Sequence, residues 1–207
     1  MTLETMPLDV ISVRGRQWKC RNGRADRFQL VYESLIDAMA LAGDIAELGS
    51  WVGLTARQLT IYLDEIESDK VLHCFDSFKG LDLHDPSFDK ERGDWLAEGN
   101  PEERFLRRMA DLNRWQLHKG HLADQSDFDT PLCWAYVDVD LYEATHHAVD
   151  LIERCLVPGG CVVFDDYGED VNWPGVKKAV DERLAGDLWK VKRMPDTHVW
   201  LCFAWKG

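Results

Sequence analysis

Two uninterrupted apolar runs, Cys133 to Val137 and Cys161 to Phe164, constrain this chain more than any other feature. A strand with one face in water alternates apolar and polar residues, so a continuous apolar run belongs to a strand buried on both faces. Between the runs, Leu141, Ala144, Ala148, Leu151, Ile152 and Cys155 recur at three- and four-residue steps, the trace of an amphipathic helix. Pro158-Gly159-Gly160 then forces a turn before the second run. Strand, helix, strand in that order is the crossover unit of a parallel sheet.

The alternation extends upstream. Phe28, Val31, Tyr32, Leu35, Ile36 and Met39 mark a leading helix over 27–42 that stops at Gly43. A first strand over 44–50 is followed by a helix over 54–66, a second strand over 71–75 and a weaker third over 115–122. Near the end, strand-like runs over 188–193 and 198–205 are separated by Met194-Pro195-Asp196-Thr197 alone, too short a connection for a crossover helix, so they should pair antiparallel. The expected fold is α/β: a Rossmann-like, doubly wound, mostly parallel sheet with a C-terminal antiparallel strand pair and helices on both faces.

At 207 residues the chain suits one domain. Residues 1–42 read as an N-terminal arm plus the leading helix. The polar, acidic stretch from Gly80 to Glu98 breaks the alternation and ends at Asn100-Pro101, a good helix start. Residues 80–112 are therefore expected to form a lid or substrate insertion, with an unstructured loop as the alternative.

A net charge of −13 would repel a phosphate backbone and argues against nucleic-acid binding. Residues 1–27 invert that balance, with six basic groups (Arg14, Arg16, Lys19, Arg21, Arg24, Arg27) against three acidic ones. Such a run is ordinarily a solvated or subunit-contacting arm, and the alternative is a clamp for an anionic substrate. The oligomeric state stays open. No apolar stretch approaches the ~20 residues of a membrane span. The N-terminus lacks the pattern of a secretory signal, and six scattered cysteines fit a reducing compartment, so a cytoplasmic location is expected.

In open α/β sheets ligands bind beyond the carboxyl ends of the strands. The first strand runs into Glu47-Leu48-Gly49-Ser50-Trp51-Val52-Gly53, where two glycines let backbone approach a ligand and the next helix offers its N-terminal amides. Those amides suit a carboxylate such as the methionine tail of S-adenosylmethionine, and Glu47 suits its ammonium. A mere tight turn is an equal reading of this motif taken alone. The second strand ends at Asp76-Ser77, and Asp76, twenty-three residues after Gly53, stands where an acidic residue holds a ribose or caps a helix. Gly120-His121 would follow the third strand near an adenine. The fourth strand ends in Asp138-Val139-Asp140 and the fifth in Asp165-Asp166. Carboxylates gathered at adjacent strand ends repel one another unless a cation intervenes, and oxygen ligands select Mg²⁺, with Mn²⁺ or Ca²⁺ as substitutes. His73 and His198, inside strand runs, read as structural.

With those residues in view, the sequence resembles the macrocin O-methyltransferase family (TylF/MycF type). The resemblance rests on GDIAELGSWVG, HCFDSFKGL, YVDVDLYEAT and VPGGCVVFDDYG, in that order. It implies a class I methyltransferase domain in which Glu47, Gly49, Gly53, Asp76 and Ser77 contact S-adenosylmethionine and Asp138, Asp165 and Asp166 hold Mg²⁺. Ser50, Gly120 and His121 complete the expected cofactor set. The implied activity is methyl transfer to a hydroxyl of a small molecule, a sugar or glycosylated natural product, with the cation lowering the hydroxyl pKa and Asp138 or Asp140 taking the proton. Val139, where family members commonly carry Gly, departs from the pattern. A nicotinamide-dependent oxidoreductase would need a G-x-G-x-x-G turn, which is absent. An inactive methyltransferase-like scaffold would have no use for the acidic set.

Overall fold

The computed structural model describes residues 8–21, 23–89, 100–168, 173–194 and 199–207. Seven strands form one sheet. In chain order they are β3 (Asp44–Leu48), β4 (Leu72–Asp76), β5 (Trp115–Lys119), β6 (Leu132–Val137), β7 (Leu156–Phe164), β8 (Trp189–Met194) and β9 (Leu201–Lys206). In space they run β5-β4-β3-β6-β7-β9-β8. The first five are parallel, whereas β9 is antiparallel to both β7 and β8. The expected C-terminal antiparallel pair is present, and β9 joins it to the parallel set. The order reverses at β3, with β4 on one side and β6 on the other, and that switch point is where an open α/β sheet leaves its ligand crevice.

Period-two alternation assigns the strand residues to opposite faces. Trp134, Tyr136, Cys161 and Val163 face the core shared with α1 (Ala25–Ala38) and α2 (Leu54–Glu65). Ala135, Val137, Val162 and Phe164 face the core shared with α4 (Tyr142–Cys155) and α5 (Pro174–Arg183). β6 is buried at every position, as its apolar run requires.

Several expectations change in detail. The third strand stops at Lys119 rather than Leu122, because Gly120 adopts φ +132 and a 3-10 turn follows over Leu122–Asp124. The turn at Pro158-Gly159-Gly160 lies within β7, which begins at Leu156; the β6–β7 register shifts between Leu132 and Trp134 to admit it. The insertion closes with α3 (Pro101–Met109), whose cap is the expected one: the Asn100 side chain accepts from the amides of Glu102 and Glu103. The part of the lid expectation over 90–99 lies outside the described residues, as does His198.

The N-terminal arm is a β-hairpin, β1 (Leu8–Val13) with β2 (Arg16–Arg21), which the sequence reading did not anticipate. One of its faces docks on α1 and α2. Trp18 stacks on Tyr32 with ring centroids 4.0 Å apart and tilts against Tyr62 at 4.9 Å. Arg14 pairs with Asp37 at 2.5 Å and Arg16 with Glu65, so part of the basic run ties the hairpin down. No helix among the described residues is long and apolar enough to cross a membrane.

Candidate active site

The carboxyl ends of β3, β4, β6 and β7 open onto a cavity of about 780 Å³, whose lining includes Glu47, Asp76, Asp138, Asp140, Asp165 and Asp166. That volume is in the upper part of the ~300–1,000 Å³ range of small-molecule sites.

In the half under β3 and β4, Glu47 is 2% exposed and its Oε2 has no hydrogen-bond partner. Burial pushes its carboxyl up to about 8, opposed by the Ser50 hydroxyl and the Ala56 amide and reinforced by the charge of Asp76. An unpaired buried carboxylate is costly, and a cationic group beside it would restore its charge. Gly49, at φ +94, passes so close to β6 that an added Cβ would collide with the carbonyl oxygen of Asp138. Its glycine is required by the joining of the two strand ends as well as by any ligand. Gly53 adopts φ +76 at the start of α2, where a Cβ would come within 2.9 Å of the Phe105 ring.

Asp76 accepts from the backbone amides of Trp51 at 2.6 Å and Phe78 at 2.7 Å, one on each carboxylate oxygen. A carboxylate has about four lone-pair sites, so each oxygen retains capacity for a ribose hydroxyl. The Ser77 hydroxyl accepts from the Lys79 amide at 3.2 Å, and Ser50 Oγ donates to the Glu47 carbonyl at 3.4 Å. The amide of Gly120 donates to the Asp76 carbonyl, which places His121 at the same edge, 3.3 Å from Asp82 Oδ2 and 3.2 Å from Lys79 Nζ. Of the expected cofactor residues, Glu47, Gly49, Ser50, Asp76, Ser77, Gly120 and His121 line the cavity, and Gly53 adjoins them at the start of α2.

The other half is built by β6 and β7. The amide of Asp138 donates to Leu48 O and that of Asp165 to Val137 O, both at 2.8 Å, so the ladder delivers the two acidic pairs side by side. Asp138, Asp140 and Asp166 each offer a carboxylate oxygen within 4.8 Å of the others. Asp140 (φ +63) and Asp166 (φ +52) adopt left-handed backbone, a conformation rare outside glycine and concentrated at functional sites. Desolvation and the charges of Asp165, Asp140 and Asp166 raise the Asp138 carboxyl well above the carboxylate range, and desolvation together with Asp165 lifts Asp166 to about 6. Three oxygens this close are destabilised by mutual repulsion, and a hard cation relieves it.

Asp165, one of the ligands that the resemblance implies, lines the same cavity but already has protein partners there. It is 5% exposed and engaged on both oxygens: Oδ1 accepts from Arg27 Nη1 and Oδ2 from Tyr136 Oη at 2.7 Å. Its Oδ1 also accepts from the Asp166 amide at 3.0 Å. Arg27, on the first turn of α1 and only 4% exposed, also reaches Asp166 Oδ1 at 3.3 Å. The geometry therefore gathers Asp138, Asp140 and Asp166 around one point and turns Asp165 toward Arg27. The sequence reading placed Arg27 in a basic arm and missed this role. The available signal was register, since Arg27 precedes Val31 and Leu35 at four-residue steps on the buried stripe of α1.

His73, expected to be structural, accepts its place in a chain away from the cavity: Nε2 lies 3.1 Å from Asp44 Oδ2 and Nδ1 2.9 Å from His118 Nε2.

CalS11, a calicheamicin methyltransferase, is 20% identical over 86% of this chain and 80% of its own, with a TM-score of 0.66; its apo structure is described as that of a TDP-rhamnose 3′-O-methyltransferase. The O-methyltransferase NovP is 24% identical over 87% of this chain and 77% of its own, with a TM-score of 0.64. The SAH-bound methyltransferase PaMTH1 of Podospora anserina is 16% identical over 90% and 83%, at 0.57. These likenesses establish the fold. No curated protein sequence matches the chain. The model of the macrocin O-methyltransferase (TylF) family, however, matches residues 20–186, from the second hairpin strand to beyond α5. The chain belongs to that O-methyltransferase family.

Proposed function

We propose that this protein transfers the methyl group of S-adenosylmethionine to a hydroxyl of a small acceptor, a sugar or glycosylated natural product, with Mg²⁺ held by Asp138, Asp140 and Asp166. The observation that carries the reading is the pairing, in one cavity, of a buried carboxylate that has one unpartnered oxygen with a cluster of three more. The first fits the ammonium of an amino-acid cofactor. The second is an all-oxygen donor set for a hard divalent cation. CalS11, described as acting on a nucleotide sugar, and SAH-bound PaMTH1 support the acceptor and cofactor classes.

Bound at that cluster, Mg²⁺ supplies the electrostatic pull that makes a neighbouring hydroxyl acidic at neutral pH. The protein does the rest. Glu47 and the first turn of α2 fix the amino-acid end of the cofactor, and Asp76 fixes its ribose. So anchored, the cofactor would present its methyl group to an acceptor held in the same cavity, and aligning methyl and oxygen would supply most of the acceleration. The second carboxylate oxygen of Asp140, or of Asp138, not committed to the cation, would accept the hydroxyl proton. Asp165 and Arg27 hold Asp166 in place.

Calorimetric titration with S-adenosylmethionine and with NAD⁺, each with and without Mg²⁺, tests the reading. Binding of the first and not the second, with Mn²⁺ retained by the wild type and lost by Asp138→Asn, is expected. Binding of NAD⁺ in preference would overturn it.

A further inference from the structure

The start of the insertion carries a buried carboxylate that neither the cofactor half nor the acidic cluster uses. Gly80, Leu81, Asp82 and Leu83 line the cavity, and the segment then runs to the starts of α4 and α5. There Phe88 stacks on Tyr142 with ring centroids 4.2 Å apart, and Lys178 Nζ lies 5.0 Å from the first ring and 5.3 Å from the second. The next residue, Asp89, is 3% exposed. Its Oδ2 accepts from the Asp85 amide at 3.1 Å, which closes the segment on itself, and its Oδ1 accepts from the Tyr142 amide, also at 3.1 Å. Gly175, the second residue of α5, leaves the space for this carboxylate, because a Cβ there would collide with Asp89 Oδ1.

The bond to Tyr142 falls at the place where α4 lacks a cap of its own. The residue before the helix is Leu141, which makes no side-chain cap, and the first amides of a helix have no intrahelical acceptor. Asp89, fifty-three residues upstream of Tyr142, supplies the acceptor together with the negative charge that a helix N-terminus favours. Immediately before Tyr142 comes the turn that carries two of the clustered acids. In it the Leu141 amide donates back to the Val139 carbonyl at 2.7 Å, around Asp140 at φ +63. A turn this tight, centred on a non-glycine residue at positive φ, is strained, and such conformations persist only where the surroundings over-determine them. From the helix side, the Leu141 carbonyl accepts from the Thr145 amide at 2.9 Å and the Thr145 hydroxyl at 2.8 Å. From outside the helix, Asp89 fixes the amide that follows.

We propose that Asp89 is a positioning residue for Asp140. By holding the first amide of α4 it keeps the strained turn in the form that brings Asp140 to Asp138 and Asp166, and it ties the cavity wall at 80–83 to that turn. The inference rests on the reading of those three carboxylates as the cation site. Asp89 itself does not line the cavity and acts only through the backbone.

Two measurements on the full chain test it: amide hydrogen exchange by NMR in EDTA, and Mn²⁺ titration followed by paramagnetic resonance. Asp89→Ala should speed exchange of the Tyr142 amide about tenfold or more, the worth of a hydrogen bond to a charged group. It should also lower Mn²⁺ affinity about tenfold, as groups that orient a ligand from behind do. Gly175→Ala, which displaces the same carboxylate without altering it, should move both quantities in the same direction. Asp89→Asn, whose side-chain carbonyl can still accept from Tyr142, should recover part of each. Phe88→Leu loosens the same segment but spares the hydrogen bond, and its Mn²⁺ affinity should stay within about twofold of the wild type, as should the S-adenosylmethionine affinity of every variant. An unchanged Tyr142 exchange rate in Asp89→Ala, or wild-type Mn²⁺ affinity there, overturns the proposal. So does an equal loss of S-adenosylmethionine and Mn²⁺, which would make Asp89 a general support of the fold. Should Asp89→Ala not fold, Gly175→Ala and Asp89→Asn decide by the same two readouts. Failure of the cation reading shows differently: the wild type itself then holds no Mn²⁺, and this proposal falls with it.

Discussion

The two halves of the cavity floor are built on opposite plans. The half under β3 and β4 is local: Glu47, Gly49, Ser50 and Gly53 lie within seven residues, and backbone amides of Trp51 and Phe78 hold Asp76. The half under β6 and β7 is assembled at long range. Its carboxylates come from two strand ends, and the cation opposing them, Arg27, is 138 residues away from Asp165. The contrast teaches that a site made of turns is readable from sequence spacing, whereas a site made of charges depends on which distant group docks against it.

The sharpest way to break this comparison is to remove one carboxylate at a time. Asp138→Asn and Asp166→Asn should each lower Mn²⁺ affinity, followed by paramagnetic resonance, by at least ~100-fold and abolish turnover, since even groups behind the ligands cost 10–100-fold. Asp165→Asn, a change behind Asp166 rather than at a ligand, should lower Mn²⁺ affinity only about 10-fold while losing stability. Equal loss of Mn²⁺ in Asp165→Asn would return Asp165 to the ligand set that the family resemblance implies.

Next in size is the long-range cation itself. Arg27→Met leaves Asp165 buried and uncompensated, and breaking a buried pair in this way costs about 3–5 kcal/mol. Urea unfolding should show that loss, with Arg27→Lys recovering part of it. A change below about 1 kcal/mol would mean that Arg27 is not what holds the carboxylate half together.

The two halves meet at Gly49, and Gly49→Ala should cost about 1–3 kcal/mol through its positive φ and its collision with the Asp138 carbonyl. Both S-adenosylmethionine and Mn²⁺ affinities should fall together in titrations of that variant. Loss of one alone would show the halves to be mechanically separate.

In the local half, Glu47→Gln should weaken S-adenosylmethionine about tenfold or more, the worth of a hydrogen bond to a charged group. It should also change the pH dependence of stability. The folded carboxyl of Glu47 is raised from 4.5 to about 8, so across that window the unfolded chain has released a proton that the folded chain retains. Stability therefore falls as pH rises from 4.5 to about 8, and Glu47→Gln should flatten the slope. The smallest effect is expected from His118, lowered from 6.5 to about 4 by desolvation and by His73. There the unfolded chain takes up the proton first, so stability falls as pH drops from 6.5 to about 4. Thermal melts of His118→Gln across that range should lose this acid-side decline.

Much of this protein was determined by its sequence alone. Period-two and period-3.6 patterns belong to local stretches, so the parallel sheet, the closing antiparallel pair and the acidic residues at the ends of β6 and β7 could be read directly. Glu47, Gly49, Gly53 and Asp76 were legible because a turn demands particular residues at particular spacings. Tertiary structure alone decided which acids face one another. The docking of α1 on the sheet brings Arg27 against Asp165 and Asp166, and the strand ends bring carboxylate oxygens of Asp138, Asp140 and Asp166 within 4.8 Å of one another. It also turned the basic arm into a hairpin whose face is set by Trp18 against Tyr32. The physical reason is that periodicity reports which side of an element is buried but not what it is buried against, and for charged groups the partner is the whole of the energetics.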